Sequence, residues 1–479
     1  MNYGAMLLSI IFIPLAGAFI LPIAGRVSAA LRNLAALLFV LVPLALLLTM
    51  LPLASSAKIV IIPGSLAPWF NTAFSADSLA VFMGCVSGLI SAVIILYSFS
   101  YISHYENQNE YYSMVALFLG AMMGLIFSAN LIFMYIFWEL TAVTSWRLIG
   151  FFREKTHVLK ADKSFLVTGF GALAMLIGFI GIYQQCGSFD LAVVKESFKA
   201  GNAPGFAVLL ILIGIFSKSA TLPFHTWLPD AGVAPSPVTA LLHAALLVKI
   251  GVYAFARLFI ATITLSALWY SDVAAVAAIS ALVCAGAALI ETDLKRIIAY
   301  STVSQIGFIF FGLSTGNDIG IIGGLLYILM HGLSKAGLFL CAGIVEQKAK
   351  TKNITELGGL IHTMPVTAAS FLLCAFSVMG LPPLGGFWSK YMVFAGAVGA
   401  KQYSSAFVFL AGAVLTVLYL LRAFNMVFLG EPKAQSQREG SSLMTASVAL
   451  LALLSLAAGI FIKYPFGFAE VIVRQITGG

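Results

Sequence analysis

Apolar residues run through this 479-residue chain in blocks of about twenty, separated by short polar breaks. About twenty apolar residues in a helix cross the hydrocarbon core of a bilayer. Within that core only helices and closed barrels satisfy their own backbone. The blocks are too long and too continuous for the alternating strands, about ten residues each, of a membrane barrel. The pattern therefore specifies an all-α polytopic membrane protein. Composition agrees: 61% of residues are hydrophobic and 9% charged, whereas soluble domains carry about 25% charged residues. The same figures exclude disorder, a disulfide scaffold and a nucleic-acid-binding protein, despite a net charge of +8.

Cys85, Cys186, Cys284, Cys341 and Cys374 are scattered in or beside apolar segments, with no CxxC pair. They read as small buried hydrophobes, not as zinc or iron–sulfur ligands. No GxGxxG or P-loop occurs. We expect no metal, no cofactor and no catalytic residue of a redox step in this chain.

The blocks predict about fourteen spans. They are Tyr3–Leu21, Leu31–Leu53, Leu79–Tyr101, Tyr112–Ser128, Leu131–Phe152, Lys163–Gln185 and Gly205–Leu228 in the first half. Pro237–Ile260, Asp272–Ile290, Leu294–Gly312, Ile319–Val345, Pro365–Val393, Ser404–Leu429 and Leu443–Ile462 follow. The first has no preceding basic residue and no small-residue cleavage site, so it reads as a retained span. Ala54–Ala76, Asp190–Pro204 and Glu431–Ser441 read as short linkers within one membrane domain, residues 1–479. Connections after odd-numbered spans carry thirteen Lys and Arg; those after even-numbered spans, with the tail, carry seven. By the positive-inside rule both termini then face outward and the odd connections face the cytoplasm.

Two spans are interrupted by proline. One runs into Ser219-Ala220-Thr221-Leu222-Pro223-Phe224-His225, the other into Gly380-Leu381-Pro382-Pro383-Leu384-Gly385-Gly386. Proline removes a backbone donor, and in lipid the freed carbonyls need protein or water around them. Matching breaks in two halves are the mark of an inverted-repeat transporter with sites at the breaks; an ordinary kink at each proline is the alternative. The N-terminal helices occupy 1–101, the two five-span units 112–260 and 272–429, and a last helix 443–462.

Ionisable residues stand where lipid should exclude them. Lys218, Lys249, Lys335 and Lys390 lie in or at the edge of spans, as do Arg147 and Arg422; Glu139 is the acidic residue deep in a span. Each lysine at a helix centre costs about 2.5–3.5 kcal/mol on insertion scales, so such residues usually line an ion or proton path. A carboxylate beside a buried lysine sets whether it holds a proton. We expect Glu139 and Lys218 to pair, as a relay or as a structural lock. His331 and Lys335, four residues apart, share a helix face. His243 and Lys249, six apart, stand about 120° from a shared face and suit two neighbouring cavities. His225 sits in the first break, where it either relays protons or caps backbone groups. Lys390 follows the second break as a last station before an aqueous exit. Arg147 suits the cytoplasmic edge, Arg422 a boundary anchor, Glu291–Arg296 a solvated turn, and Asp77 and Asp230 helix caps or interfacial positions.

Several stretches together resemble one family: the antiporter-like subunits of respiratory complex I, of Mrp-type cation/proton antiporters and of group 4 membrane-bound hydrogenases. They are Phe137-Trp138-Glu139-Leu140-Thr141; Lys218-Ser219-Ala220 with Pro223 to Ala231; Ala234 to Ala244; Val248-Lys249-Ile250-Gly251-Val252-Tyr253; Asp293 to Ser301; His331 to Lys335; and Leu381-Pro382-Pro383 with Gly386-Phe387-Trp388-Ser389-Lys390. The resemblance implies fourteen helices with two inverted five-helix repeats. It implies a Glu139–Lys218 pair in the first half, Lys249 as connecting lysine, and Lys335 and Lys390 as second-half proton carriers. It also implies membrane partners that include paralogous antiporter-like subunits, peripheral redox subunits, and a prokaryotic plasma membrane. Gly232 and Val233 stand where many relatives have an acidic residue, and Arg147 where an apolar one is common. Length and His362-Thr363-Met364-Pro365 look most like the compact hydrogenase-4-type subunit. The leading expectation is a proton-translocating subunit of an oxidoreductase complex; the alternatives are a passive scaffold and a subunit of a Na⁺/H⁺ antiporter.

Overall fold

The computed structural model describes residues 2–67, 70–433 and 438–478. Every expected span contains helix, two of them in pieces. The helices are α1 Tyr3–Val27, α2 Ala29–Ser55, α3 Ser78–Tyr101, α4 Gln108–Phe127, α5 Leu131–Ile149 and α6 Lys155–Cys186, then α7 Leu191–Ser197 in a connection and α8 Gly205–Lys218. The chain continues through α9 Trp227–Asp230, α10 Ser236–Ala240, α11 Leu247–Phe255, α12 Ala267–Ile290, α13 Leu294–Leu313 and α14 Asp318–Ala349. It ends with α15 Pro365–Met379, α16 Gly385–Gly399, α17 Tyr403–Phe428, α18 Ser442–Ile460 and α19 Lys463–Thr477. Among the described residues eleven helices are long and apolar enough to cross a membrane, counting Ser236–Ile260 as one. The other expected spans fall short for visible reasons. Glu139 and Arg147 interrupt the apolar run of α5, and the seventh and twelfth spans are cut into pieces.

Burial orders the bundle. The most apolar window of Ser236–Ile260 is 100% buried and that of α14 94%, whereas α2 and α17 bury 33%. The peripheral helices therefore present leucine and phenylalanine outward, to lipid or to neighbours, and the charged residues collect on the central helices.

Two segments outside the expected spans also hold structure. Residues 54–76 include an antiparallel hairpin, β1 Val60–Ala67 with β2 Phe70–Ala76. It is seated by its bridge from Phe74 to Ser128 at the end of α4. Past the last expected span, α19 lays Ala469, Ile472, Val473 and Ile476 inward. Its Gln475 accepts from the Ser78 N–H at 2.9 Å and donates to the Ala57 carbonyl at 2.9 Å. Hairpin, α7 and α19 thus gather on one face of the bundle. Lys348, Lys350 and Lys352 mark the other, here called the basic face.

Both proline breaks are real interruptions. α8 starts beside α7 and stops at Lys218 after fourteen residues; α15 starts beside the basic face and stops at Met379 after fifteen. At about 1.5 Å per residue each ends near mid-depth, and the two are approached from opposite faces. Ala220 and Gly380 turn the chain through left-handed conformations, φ 53° and 88°. The freed groups find partners, as lipid demands. Trp227 Nε1 donates to the Ser217 carbonyl at 3.0 Å, and the Leu222 N–H donates to Ser280 Oγ at 3.1 Å. At the second break a Cβ on Gly386 would stand 1.8 Å from the Ser377 carbonyl oxygen, so only glycine lets α16 begin so close to the end of α15.

A mid-membrane row of buried amines and imidazoles

Lys218 ends α8 at the first break and is fully buried. Its Nζ donates to the Trp138 carbonyl at 3.1 Å and lies 5.4 Å from the Trp138 ring centre. Glu139, the next residue, is half-buried, with the Tyr135 hydroxyl within electrostatic reach. The expected Glu139–Lys218 ion pair is not made in this conformation. The two charges interact through space while the ammonium is held by the backbone of α5.

Lys249, also fully buried, donates to the Ile328 carbonyl of α14 at 2.6 Å. Lys335 donates to Ser301 Oγ and, at 3.4 Å, to the Ile298 carbonyl of α13. Lys390 donates to the Val378 carbonyl at 2.7 Å and lies 4.5 Å from the Phe308 ring centre. The four lysines share one device: each ammonium rests on a main-chain carbonyl. Among the described residues none has a carboxylate within 4.0 Å. An ion pair favours the charged form alone, but a neutral amine keeps N–H groups to offer a carbonyl. The geometry therefore accommodates both protonation states. At the two breaks the carbonyls are also those of a helix C-terminus, or lie beside one, where the macrodipole favours positive charge. Lys218 lies in the last turn of α8 and Lys390 reaches the last turn of α15.

Two histidines stand between the lysines. His331 is within electrostatic reach of Lys249, Lys335, His243 and Lys390. His243 packs against Phe339 of α14, ring centres 4.5 Å apart and ring planes tilted by 45°. The 120° separation of His243 and Lys249 assumed an uninterrupted α-helix, but a π turn covers Leu241–Ala245. Both residues therefore meet α14, at Phe339 and at Ile328, instead of serving separate cavities. Neither imidazole has a protein hydrogen-bond partner at Nδ1 or Nε2, and Trp138 Nε1, Thr221 Oγ1 and Ser377 Oγ share that condition. Buried polar atoms of this kind are satisfied by internal water, and here they line the lysine row and both breaks. His225 is half-buried in the first break, its Nδ1 likewise without a partner.

The row is fully buried at its centre and half-open at its ends. Glu139 shares α5 with Ile136 and Val143, 50% and 45% exposed. Lys390 lines a cavity of about 230 Å³ with Phe308, Phe387 and Phe409 that opens past exposed Tyr391 and Leu410.

The other charged residues form ion pairs or anchor helix ends. Arg147 pairs with Glu110 at the basic face, as an edge residue should. Arg422 donates to the Leu289 and Glu291 carbonyls at 2.8 Å and anchors the end of α12. Asp230 holds Lys163 at 2.6 Å and Arg296 at 2.9 Å. Burial would raise its carboxyl, yet the hydrogen bonds and charges of these two cations keep it below the usual carboxylate range. Three residues counted as loop charges are in fact buried: Arg32, Arg257 and Lys295. Arg257 pairs with Asp77, which also caps α3, and Lys295 pairs with Glu346 at 2.7 Å. Their partners lie far away in sequence, so no local signal announces them. Two of the three come from the larger side of the positive-inside count and one from the smaller, so the bias remains.

A polytopic helical bundle with broken helices and titratable groups at mid-depth is the architecture of an ion-translocating membrane protein. Residues 128–416 match the NADH:quinone oxidoreductase/Mrp antiporter transmembrane family, and the chain belongs to that family. The match contains the whole row, Glu139 to Lys390. A probable K⁺/H⁺ antiporter subunit of Rhizobium meliloti is 35% identical over 402 residues, 81% of this chain and 40% of that protein. A Na⁺/H⁺ antiporter subunit of Alkalihalophilus pseudofirmus is 36% identical over 403 residues, 77% of this chain and 50% of that one. This chain thus spans about half the length of these curated relatives. In fold it is similar to a chain of the Mrp complex from Dietzia sp. DQ12-45-1b, with TM-score 0.89 and 23% identity, covering 100% of this chain and 98% of that one. It is equally similar to a chain of an archaeal membrane-bound sulfane sulfur reductase, with TM-score 0.90 and 22% identity over 98% and 97% of the two chains.

Proposed function

We propose that this chain is a proton-translocating, antiporter-like subunit of a larger membrane assembly and catalyses no redox step itself. Protons move along Glu139, Lys218, Lys249, His331, Lys335 and Lys390, with His225 and His243 as side stations and internal water between them. The observation that carries this reading is the carbonyl seating of the four lysines, which leaves each amine free to gain or lose a proton. One proton moved against 100 mV stores about 2.3 kcal/mol, and a lysine pKa swing of one or two units, at about 1.4 kcal/mol each, matches it. Residues 112–260 and 272–429 form the two inverted repeats, each with its break. The basic face lies in the cytoplasm of a prokaryotic cell and both termini lie outside. The half-open ends of the row, at Glu139 and Lys390, face paralogous subunits, so the row continues from one subunit to the next.

The driving force is cation exchange: the curated relatives named above belong to K⁺/H⁺ and Na⁺/H⁺ antiporters. A redox-driven assembly with peripheral electron-transfer subunits is the second reading, favoured by the end-to-end fold match to the sulfane sulfur reductase chain. Everted vesicles holding the complete assembly separate the two. With no electron donor, adding Na⁺ or K⁺ is expected to dissipate an imposed pH gradient. Proton movement that requires an electron donor would select the redox reading. No proton movement under either condition, with the assembly intact, would contradict translocation.

A further inference from the structure

The row described so far lies at mid-depth and needs a way in. Near the basic face one carboxylate stands in line with it. Glu346 lies on α14, eleven residues beyond Lys335, three helical turns away on the same face at 3.6 residues per turn. Lys295, 2% exposed, holds its Oε2 at 2.7 Å and also donates to the Ala234 carbonyl at 3.1 Å. On its outer side Glu346 lines a cavity of about 440 Å³ open at the basic face, together with Thr292, Asp293, Lys350, Lys352 and Asn353. There Asp293 and Lys352 pair with each other at 2.8 Å, which leaves Glu346 as the carboxylate that joins the cavity to the interior.

On its inner side Glu346 meets hydroxyls. Ser236 Oγ lies 3.5 Å from Glu346 Oε2, and the Tyr101 hydroxyl 3.5 Å from Ser236 Oγ. A Cβ on Gly343 would stand 2.7 Å from the Tyr97 hydroxyl and 2.8 Å from Ser236 Oγ, so both hydroxyls close on the bare backbone one turn inward of Glu346. Tyr97, Tyr101 and Tyr105 all lie within electrostatic reach of Glu346. The helix that starts at Ser236 runs antiparallel to α14. Two turns further in it carries His243, packed against Phe339, and then Lys249, seated on Ile328. Ser236, His243 and Lys249 thus meet α14 at Glu346, Phe339 and Ile328 in order.

We propose that Glu346, positioned by Lys295, is the proton-collecting mouth of the row, passing protons through Ser236 and the Tyr97–Tyr101 hydroxyls toward His243 and His331. The proposal rests on the translocation reading above. Protons are scarce at neutral pH, so a carboxylate at the water boundary governs how readily they are captured, not how fast a filled row conducts. Lys295 holds it in place at the cavity wall; Lys350 and the Asp293–Lys352 pair are the other charges facing it.

The test is proton uptake from the basic-face side by the complete assembly in everted vesicles preloaded with Na⁺, whose outward gradient draws protons in through that face, measured as a function of pH on the basic-face side. Glu346→Gln keeps the side-chain shape and an acceptor for Lys295. It is expected to raise the half-saturating proton concentration about fivefold while the maximal rate at low pH survives, and Glu346→Asp is expected to restore the parental curve. A fall in maximal rate with no shift in proton dependence would overturn the proposal in favour of a structural clamp, and an unchanged curve would overturn it outright. Should Glu346→Gln fail to assemble, Ser236→Ala decides, because it removes a hydroxyl and no charge: a shift of the same sign supports the mouth, none refutes it. Lys335→Met runs alongside. If that variant conducts normally, translocation along the row has failed; if it is blocked and Glu346→Gln is normal, only the mouth has.

Discussion

Replacing Lys335 with methionine is expected to cut proton flux by the assembled complex at least tenfold while leaving the chain as stable as before or more so. The two effects have opposite signs for one reason. Lys335 is fully buried, and its ammonium meets only neutral acceptors, Ser301 Oγ and the Ile298 carbonyl. On insertion scales a charge at that depth costs about 2.5–3.5 kcal/mol, and no counter-ion within 4.0 Å offsets it among the described residues. Methionine has similar length and no charge, so the cost of burial disappears together with the proton carrier. Destabilisation by removal of a working group is the rule for structural ion pairs, where the partner is left buried and alone; here no partner is orphaned. Thermal unfolding of the purified assembly and dye-monitored proton flux measure the two sides. Loss of stability with flux intact would make Lys335 a strut.

Gly332→Ala is expected to lower flux about tenfold through Lys249, without replacing any charged residue. A Cβ at position 332 would stand 2.7 Å from Lys249 Nζ and 2.6 Å from Ile90 Cδ1. Both atoms are the far ends of flexible side chains, so the fold yields there. Alanine is also favoured over glycine in a helix interior by about 0.8–1.0 kcal/mol. Lys249 can yield only by loosening its hold on the Ile328 carbonyl, 2.6 Å from its nitrogen. The defect should therefore be non-additive: Gly332→Ala combined with Lys249→Ala should conduct no worse than Lys249→Ala alone, as expected for residues acting through one contact. A fully additive loss would place the effect elsewhere.

Much of this was legible in the chain itself, because lipid punishes deep charge and so leaves few accidental ones. Lys218, Lys249, Lys335 and Lys390 announced themselves by depth alone, and Pro223 and Pro382-Pro383 announced the breaks. What the lysines rest on was not legible. A main-chain carbonyl carries no residue identity, so sequence offered Glu139 as the partner of Lys218, and the fold supplied the Trp138 carbonyl. The same limit hid Asp77–Arg257 and Lys295–Glu346, whose members meet only after folding. The pairing of β1 with β2 is seated by a bridge to the end of α4, far away in sequence. The apolar spacing of α19, at Ala469, Ile472, Val473 and Ile476, was readable as an amphipathic face but too short to register as a span. The π turn at His243 left no sequence mark, yet it decides which helix the imidazole meets.

The claim on which all of this stands is that the amines and the carboxylate at mid-depth carry protons. The direct measurement is proton flux into dye-loaded proteoliposomes containing the complete assembly, compared among the parent, Lys218→Ala and Glu139→Ala, with assembly verified for each. The expected result is flux reduced at least tenfold in both variants at unchanged assembly. Parental flux from a fully assembled Lys218→Ala complex would contradict the account.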